Sequence, residues 1–298
     1  MFAQIDYTLL LGQFRSGLTT AMFLFLIASG LSLIFGVLKI INFAHGSLYM
    51  IGAYIAWHLV HYLVGNGLLG FTFAVLASAC CVALIGALVE RLMLRHMYKV
   101  EELYQLLFTY ALVLIFSDAC KIIWGTQPVS VQRPAALAGY FEVAGVRMPH
   151  YDLMIVIVGF LNAFGFWLLL NRTSYGRIIR AAALDREMLG ALGTNVTWLY
   201  TGMFTLASFL AGLSGALVTP IRGVVPGMDV EIIIEAFIVV VIGGLGSLWG
   251  TLLGSLIYGL VLAYGILIFP RFSIFAAFIM MTVVLIVRPW GLLGRPVK

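Results

Sequence analysis

The residues that first look able to do chemistry are Gly212-Leu213-Ser214-Gly215. A glycine-framed serine is the arrangement of a nucleophile set inside a membrane, but its hydroxyl attacks only when a neighbouring base takes the proton. That base would be a histidine on a later segment, and no histidine follows His150. The tetrapeptide is therefore read as a helix-packing element, since small residues let helices approach closely. Other reaction chemistries fail for similar reasons. There is no GxxxxGK[ST] and no Gly-Lys dipeptide, hence no phosphate-binding loop, and there is no HExxH. His58 and His61 share a helix face at i, i+3, but no third ligand accompanies them. Cys80, Cys81 and Cys120 sit in apolar sequence without metal-ligand or disulfide spacing, and read as small packing residues.

What remains is polar sequence embedded in apolar sequence. Asn42-Phe43-Ala44-His45-Gly46-Ser47 interrupts an apolar stretch. Asn42 is a good N-cap type, and a helix beginning here would point its positive end and free N–H groups into the membrane. The segment reads either as a pathway-lining half-helix or as a simple loop, with Lys39 at the interface and His45 bonded locally. Gly243-Gly244-Leu245-Gly246-Ser247 is followed by Gly250, Gly254 and Gly259, a run suited to close packing or to backbone bending beside a pathway. It is no dinucleotide fingerprint, lacking a preceding strand and a following acid. Asp118 and Lys121 can pair at i, i+3, which lowers the cost of placing either near lipid. Glu235 needs a partner or water. A proton-handling role for Glu235 or His45 would make the chain a self-sufficient secondary transporter or channel, the main alternative to the reading below.

The elements that must hold these residues are transmembrane helices. Of 298 residues, 63% are hydrophobic and 10% charged, against about 45–50% and 25% in soluble domains. The mean hydropathy of +1.10 agrees. Continuous apolar stretches, rather than alternating ones, argue against a β-barrel. Nine such stretches are expected as helices: Phe14–Val37, Ala44–Val64, Leu68–Leu94, Leu103–Ile123, Tyr151–Leu170, Trp198–Pro220, Ile232–Gly243, Trp249–Phe269 and Phe272–Val287. The seventh is short enough for a half-span or a tilted segment. The fold class is thus an all-α polytopic membrane protein of about eight or nine spans with broken or re-entrant segments. A single membrane domain, residues 1–298, is expected. The Asn42–Ser47 and Gly243–Ser247 interruptions, each following a helix, leave room for an inverted repeat.

Ten of the 17 Lys and Arg residues fall within Arg91–Lys99, Arg172–Arg186 and Arg288–Lys298. Basic loops beside apolar spans mark the cytoplasmic side rather than a nucleic-acid surface. Nine crossings then put the N-terminus outside, the C-terminus in the cytoplasm, and the proline-containing loop Trp124–His150 outside, where an irregular connection is expected. Met1–Phe14 lacks the pattern of a cleavable signal, so the first spans are expected to direct insertion. The basic loop between 172 and 197 is helix-prone, with Gly193 and Asn195 as stop signals and Ala181–Ala183 as a small, exposed surface between charges. It reads either as a docking surface for a cytoplasmic partner or as an ordinary positive-inside loop.

Several separated motifs, in order, resemble the high-affinity branched-chain amino acid permeases of ABC importers. They are Phe35-Gly36-Val37-Leu38-Lys39-Ile40-Ile41-Asn42-Phe43-Ala44-His45-Gly46, then Arg180-Ala181-Ala182-Ala183-Leu184-Asp185-Arg186 with Leu192-Gly193-Thr194-Asn195, then Gly243-Gly244-Leu245-Gly246-Ser247 and Arg288-Pro289-Trp290-Gly291-Leu292. The match runs from about Gly17 to Leu293, and the length suits the shorter, LivH-type subunit of a permease pair. The resemblance implies a bacterial inner-membrane heterodimer of two related permeases, two ATPase subunits below and a periplasmic solute-binding protein above. It implies no cofactor on this chain, with ATP and Mg held by the ATPases. Asn42, Phe43, His45, Gly46, Ser47, Gly243, Gly244, Gly246 and Ser247 would lie near the translocation path. Arg177, Arg180, Ala181, Ala182, Asp185, Arg186 and Gly193 would form the segment seated on an ATPase, where Leu189 departs from the small residue more common there. The solute would be a branched-chain amino acid, or within the wider family urea, a short amide or an aromatic acid.

Overall fold

A computed structural model describes residues 7–98, 100–268, 270 and 273–294. Met1, Lys99, Phe269, Phe272 and Lys298, which bound stretches named above, lie outside them.

A long apolar segment in lipid satisfies its backbone internally only as a helix. The helices are α1 (Tyr7–Leu38), α2 (Ala44–Leu59), α3 (Leu68–Val89), α4 (Arg95–Met97), α5 (Glu102–Trp124), α6 (His150–Arg172), α7 (Ser174–Leu184), α8 (Arg186–Ala191), α9 (Val196–Arg222), α10 (Met228–Gly243), α11 (Leu248–Ile268) and α12 (Ser273–Val287). π-turns at Val60–Val64 and Glu90–Leu94 prolong α2 and join α3 to α4. Among the described residues, seven helices are long and apolar enough to cross a membrane. α10 and α12, with 16 and 15 residues, are shorter. At 1.5 Å per residue α10 reaches about 24 Å, less than the ~30 Å hydrocarbon core. Over their described residues all nine apolar stretches are helical, although α1 starts at Tyr7 and α10 at Met228, earlier than hydropathy suggests.

Composition cannot say which apolar helix is central, but burial can. In α1, 89% of the most apolar stretch is buried, against 22% in α5 and in α6. A helix apolar all round and buried all round is a core helix, and α1 packs along α11, α9, α6 and α10. α5 and α6 instead turn Leu107, Ile115, Ile122, Ile157, Phe160 and Phe164 outward, a surface suited to lipid.

Small residues set the closest approaches. An added Cβ at Gly17 would lie 3.0 Å from the Gly259 carbonyl, where α1 crosses α11. Gly212 faces Val82 and Ala79 of α3, Gly215 faces the Tyr49 carbonyl of α2, and Ser214 Oγ donates to the Phe23 carbonyl of α1 at 3.3 Å. The Gly212–Gly215 tetrapeptide thus locks α9 against three helices. The two helix–break–helix units pack on one another, α1 against both α10 and α11 and α2 against α10.

The 124–150 connection is not irregular throughout. β1 (Tyr140–Val143) and β2 (Val146–Pro149) form an antiparallel hairpin. Its turn residues Ala144 and Gly145 both have positive φ, 52° and 78°, as a type I′ turn requires. The hairpin borders Thr8, Gly12 and Arg15 of α1, and Arg15 pairs with Asp152 at 2.6 Å. At the opposite end of the bundle Glu90 is fully buried and accepts from Thr201 Oγ1 at 2.6 Å and Tyr98 Oη at 2.8 Å. Burial, then the Glu90 carboxylate, push the Tyr98 phenol far above its ordinary value, which keeps it protonated and donating.

Candidate functional site

The first break begins at the end of α1. Lys39 is exposed and adopts φ 55°, a left-handed conformation unusual for a residue with a Cβ. Residues 39–42 then leave helical geometry, and Thr109 of α5 borders them: its hydroxyl accepts from the Phe43 N–H at 3.4 Å and has the Leu106 and Ile41 carbonyls as acceptors at 3.1 and 3.4 Å. Asn42 does not cap α2. Phe43 occupies the cap position without a side-chain bond, and the His45 and Gly46 N–H groups close onto the Asn42 and Phe43 carbonyls at 3.3 Å. A tight backbone turn therefore takes up the N–H groups that an asparagine cap would have met. The Asn42 side chain is fully buried, with neither amide atom hydrogen-bonded to the protein.

His45 is buried as well, but its contact is not local: Nε2 donates to the Ile27 carbonyl of α1 at 3.1 Å, leaving Nδ1 without a partner. Gly46 lets the backbone of α2 meet Asp229 and Ile233 of α10. Ser47 Oγ donates to Asp229 Oδ2 at 2.9 Å, while Asp229 Oδ1 has no partner. Phe43 packs on Phe237, ring centroids 5.3 Å apart. The start of α2 thus lies along α10 and carries buried polar atoms of Asn42, His45 and Asp229 that no protein group satisfies. A buried polar group left unpaired costs about 1–3 kcal/mol, so these atoms have capacity here to bind water, solute or another side chain.

The second break lies at the other end of α10, so the two sets of residues are not gathered into one cluster. Gly244 and Gly246 have φ 101° and 78°. Gly246 abuts Gly36 of α1, with an added Cβ 2.8 Å from the Gly36 Cα. Ser247 Oγ accepts from the Gly250 N–H at 3.1 Å and opens α11. Gly243 meets Gly250, and Gly254 meets Val239 and Gly243, so the GxxxG pair packs α11 on α10 within the chain. The Arg288–Leu292 motif gains a structural role here. Leu292 and Leu293 N–H groups donate to the Ile242 and Gly243 carbonyls at 2.9 and 3.0 Å, satisfying carbonyls that the end of α10 leaves open.

The basic segment forms two short helices. Thr173 Oγ1 caps α7 by accepting from the Gly176 N–H at 3.0 Å, and Asp185 caps α8 by accepting from Glu187 and Met188 at 3.0 and 2.9 Å. Gly193 has φ 85° and follows α8, with Thr194 N–H reaching the Leu189 carbonyl. Asn195 starts the next helix rather than ending this one, because its Oδ1 accepts from the Trp198 N–H. Arg177, Arg180, Ala181, Asp185, Arg186 and Gly193 are exposed, but Ala182 is buried at 4% exposure and Leu189 at 8%. The alanine surface is therefore narrower than expected, because helical periodicity turns Ala182 inward on the face shared with Ile179. Burial raises the Tyr175 phenol above its ordinary value, and its hydroxyl donates to the Leu199 carbonyl at 3.2 Å, tying α7 to α9. A cavity of about 410 Å³ separates residues 182–187 from Leu38, Lys39 and Gln105. The left-handed residue that begins the first break therefore lines the same crevice as the end of α7.

Lys39→Gly is expected to preserve or raise stability by about 1 kcal/mol, since glycine adopts this φ without strain. Lys39→Val is expected to lower it by more. Melting of the two variants in detergent checks this, and equal melting temperatures would contradict the assigned conformation.

Sequence reasoning missed Asp229 and the pairing of Glu235 with Arg222, whose Nη1 lies 3.5 Å from Glu235 Oε2. An acid beside Gly227 in apolar sequence was the available signal for the first. His58 and His61 join Trp57 and Tyr62 in an aromatic group, Lys121 pairs with Asp118 at 2.9 Å, and Cys80 and Cys81 are exposed while Cys120 is buried.

Residues 13–287 match the family described as branched-chain amino acid transport system / permease component. The chain is 32% identical over 297 residues to the high-affinity branched-chain amino acid transport system permease protein BraD of Pseudomonas aeruginosa, with 96% of each chain covered. It is 27% identical over 299 residues to the corresponding permease protein LivH of Escherichia coli, again with 96% of each covered. A shorter similarity, 37% over 111 residues, covers 35% of this chain and 31% of the fructose import permease protein FrcC of Rhizobium meliloti. No solved structure matches the chain.

Proposed function

Because the chain belongs to the family of branched-chain amino acid transport permease components, we propose that it carries a branched-chain amino acid across the bacterial inner membrane as half of a heterodimeric pathway. It is a multi-pass transport subunit of an ABC importer, not an enzyme. In the proposed assembly a second, related permease completes the path, two ATPases bind ATP and Mg below, and a periplasmic binding protein delivers solute above. The whole chain, 1–298, acts as one membrane domain with its N-terminus outside and its C-terminus in the cytoplasm. Arg177, Arg180, Ala181, Ala182, Asp185, Arg186 and Gly193 belong to the ATPase-coupling segment, with Ala182 supporting it from beneath. Asn42, Phe43, His45, Gly46 and Ser47 line or gate the path, and Gly243, Gly244, Gly246 and Ser247 form the hinge at the far end of α10.

One observation carries this reading. The exposed, capped α7–α8 unit shares a crevice with Lys39, and Lys39 opens the break that contains the unsatisfied Asn42 and His45 atoms. Movement of α7 by an ATPase would thus reach the break through the end of α1. There, buried polar atoms can exchange partners as the path opens, which gives the motion a differential free energy to act on.

Ala181, exposed on α7, provides the test. An Ala181→Cys variant in a cysteine-free background is expected to crosslink to an ATPase subunit within the assembled complex, with a yield that changes when ATP is bound. A cysteine that never crosslinks, in a complex that still imports leucine, would refute the placement of this segment.

A further inference from the structure

We propose that Arg222 and Glu235 form a transient binding site for the charged end of an α-amino acid, the guanidinium taking its carboxylate and Glu235 its ammonium. This deepens the proposed function and rests on it. Arg222 is the last residue of α9 and Glu235 lies midway along α10. Their contact is single and long, Nη1 to Oε2 at 3.5 Å, with the side chains 39% and 20% exposed. Charge-assisted pairs held for their own sake are shorter, about 2.7–2.9 Å, and guanidinium–carboxylate pairs are commonly two-pronged. The pair is held by this one contact, so a ligand carboxylate and ammonium have a single long bond to displace.

The surroundings suit that ligand. The Arg222 guanidinium lies over the Phe23 ring at 5.4 Å. Phe23 in turn packs on Tyr49 of α2, two residues beyond Ser47, with ring centroids 5.9 Å apart. The cluster therefore adjoins the first break through α2. Along the outward face of α10, Glu231 and Glu235 alternate with Val230 and Ile234, which are 47% and 42% exposed. That face offers apolar surface beside charge, as an aliphatic amino acid requires. Charged side chains in spanning segments face a bundle interior or a water-filled cavity rather than lipid. The outward surfaces of α5 and α6, rich in leucine, isoleucine and phenylalanine, contrast with this one. Insertion of a zwitterion also leaves the net charge of the site unchanged, so no uncompensated charge is created at that depth.

A brace for stability would have a different fate, because an apolar pair of similar size commonly replaces a buried ion pair without loss. In the complete importer reconstituted in proteoliposomes, Arg222→Met combined with Glu235→Leu is expected to cut L-leucine uptake at least about tenfold, the equivalent of one lost charge-assisted contact. ATP hydrolysis stimulated by the binding protein should stay within about twofold, since these residues lie away from the coupling segment. Uptake at the wild-type rate overturns the site and leaves the pair as a brace. Should the double variant not assemble, Ile234→Cys in a cysteine-free background decides. A water-soluble methanethiosulfonate should modify it, and L-leucine should slow the modification. No modification, or modification indifferent to leucine, overturns the proposal. A wild-type complex that moves no leucine overturns the permease assignment beneath it, which is a separate result.

Discussion

Replacing residues 177–193 with a flexible Gly/Ser linker of equal length is expected to abolish ATP-driven uptake while leaving the transmembrane bundle folded. The segment buries only Ile179, Ala182 and Leu189 among its side chains, and α7 is tied to the bundle chiefly through Tyr175 and Thr173, which the replacement keeps. Stability should therefore fall modestly. Coupling should be lost, because a linker that transmits no force leaves the Lys39 crevice without input from the ATPases. A milder form of the change is Asp185→Ala. It removes the acceptor of two N–H groups at the start of α8, a cap worth about 1 kcal/mol, and should lower uptake per ATP hydrolysed without preventing assembly. Both are read by measuring uptake and hydrolysis together. Full coupled transport after the linker replacement would show that force enters elsewhere.

Gly215→Val is expected to prevent assembly of the bundle. A Cβ there would overlap the Tyr49 carbonyl, and that carbonyl is backbone within α2, so no side chain can turn aside. Overpacking of this kind costs about 1–3 kcal/mol for a methylene or two in a yielding site, and this site is bounded by two helices. Gly215 also neighbours Ser214, whose bond to Phe23 positions α9 against the core helix α1. Separation of α2 from α9 would move the start of α2 away from Asp229. The measurement is the fraction of membrane-inserted chain that elutes as a single species in detergent, expected to collapse for Gly215→Val and to fall less for Gly190→Val. The latter meets only a Val196 methyl at 3.9 Å, an ordinary van der Waals contact. Normal behaviour of Gly215→Val would mean that α2 and α9 are not packed as described.

Much of this architecture was readable from the chain because lipid leaves so few options. Each apolar stretch is helical over its described residues, and a break falls at each polar interruption. Order within the bundle was hidden, since α1 and α5 are both apolar and only packing distinguishes a core helix from a lipid-facing one. The hairpin at 140–149 was hidden because its turn uses Ala144 at positive φ, where Asn or Asp would have given a signal. Residue type makes Asn42 a cap, but four-residue backbone turns meet those N–H groups first. Ala182 was assigned to a surface by composition, and the phase of α7 turned it inward. The Arg222–Glu235 pair depends on how residues 223–227 reverse the chain between α9 and α10, which periodicity does not encode.

The central claim is that this chain moves solute only when partner subunits hydrolyse ATP. Its most direct test is radiolabelled L-leucine flux into proteoliposomes, measured for this chain alone and for the chain with the second permease, the ATPases and the binding protein. The account predicts no flux for the chain alone, with or without a proton gradient, and flux in the complete complex that requires ATP. Leucine entry driven by a gradient through the chain alone would contradict it, and would return Glu235 and His45 to the proton-handling role of a self-sufficient transporter.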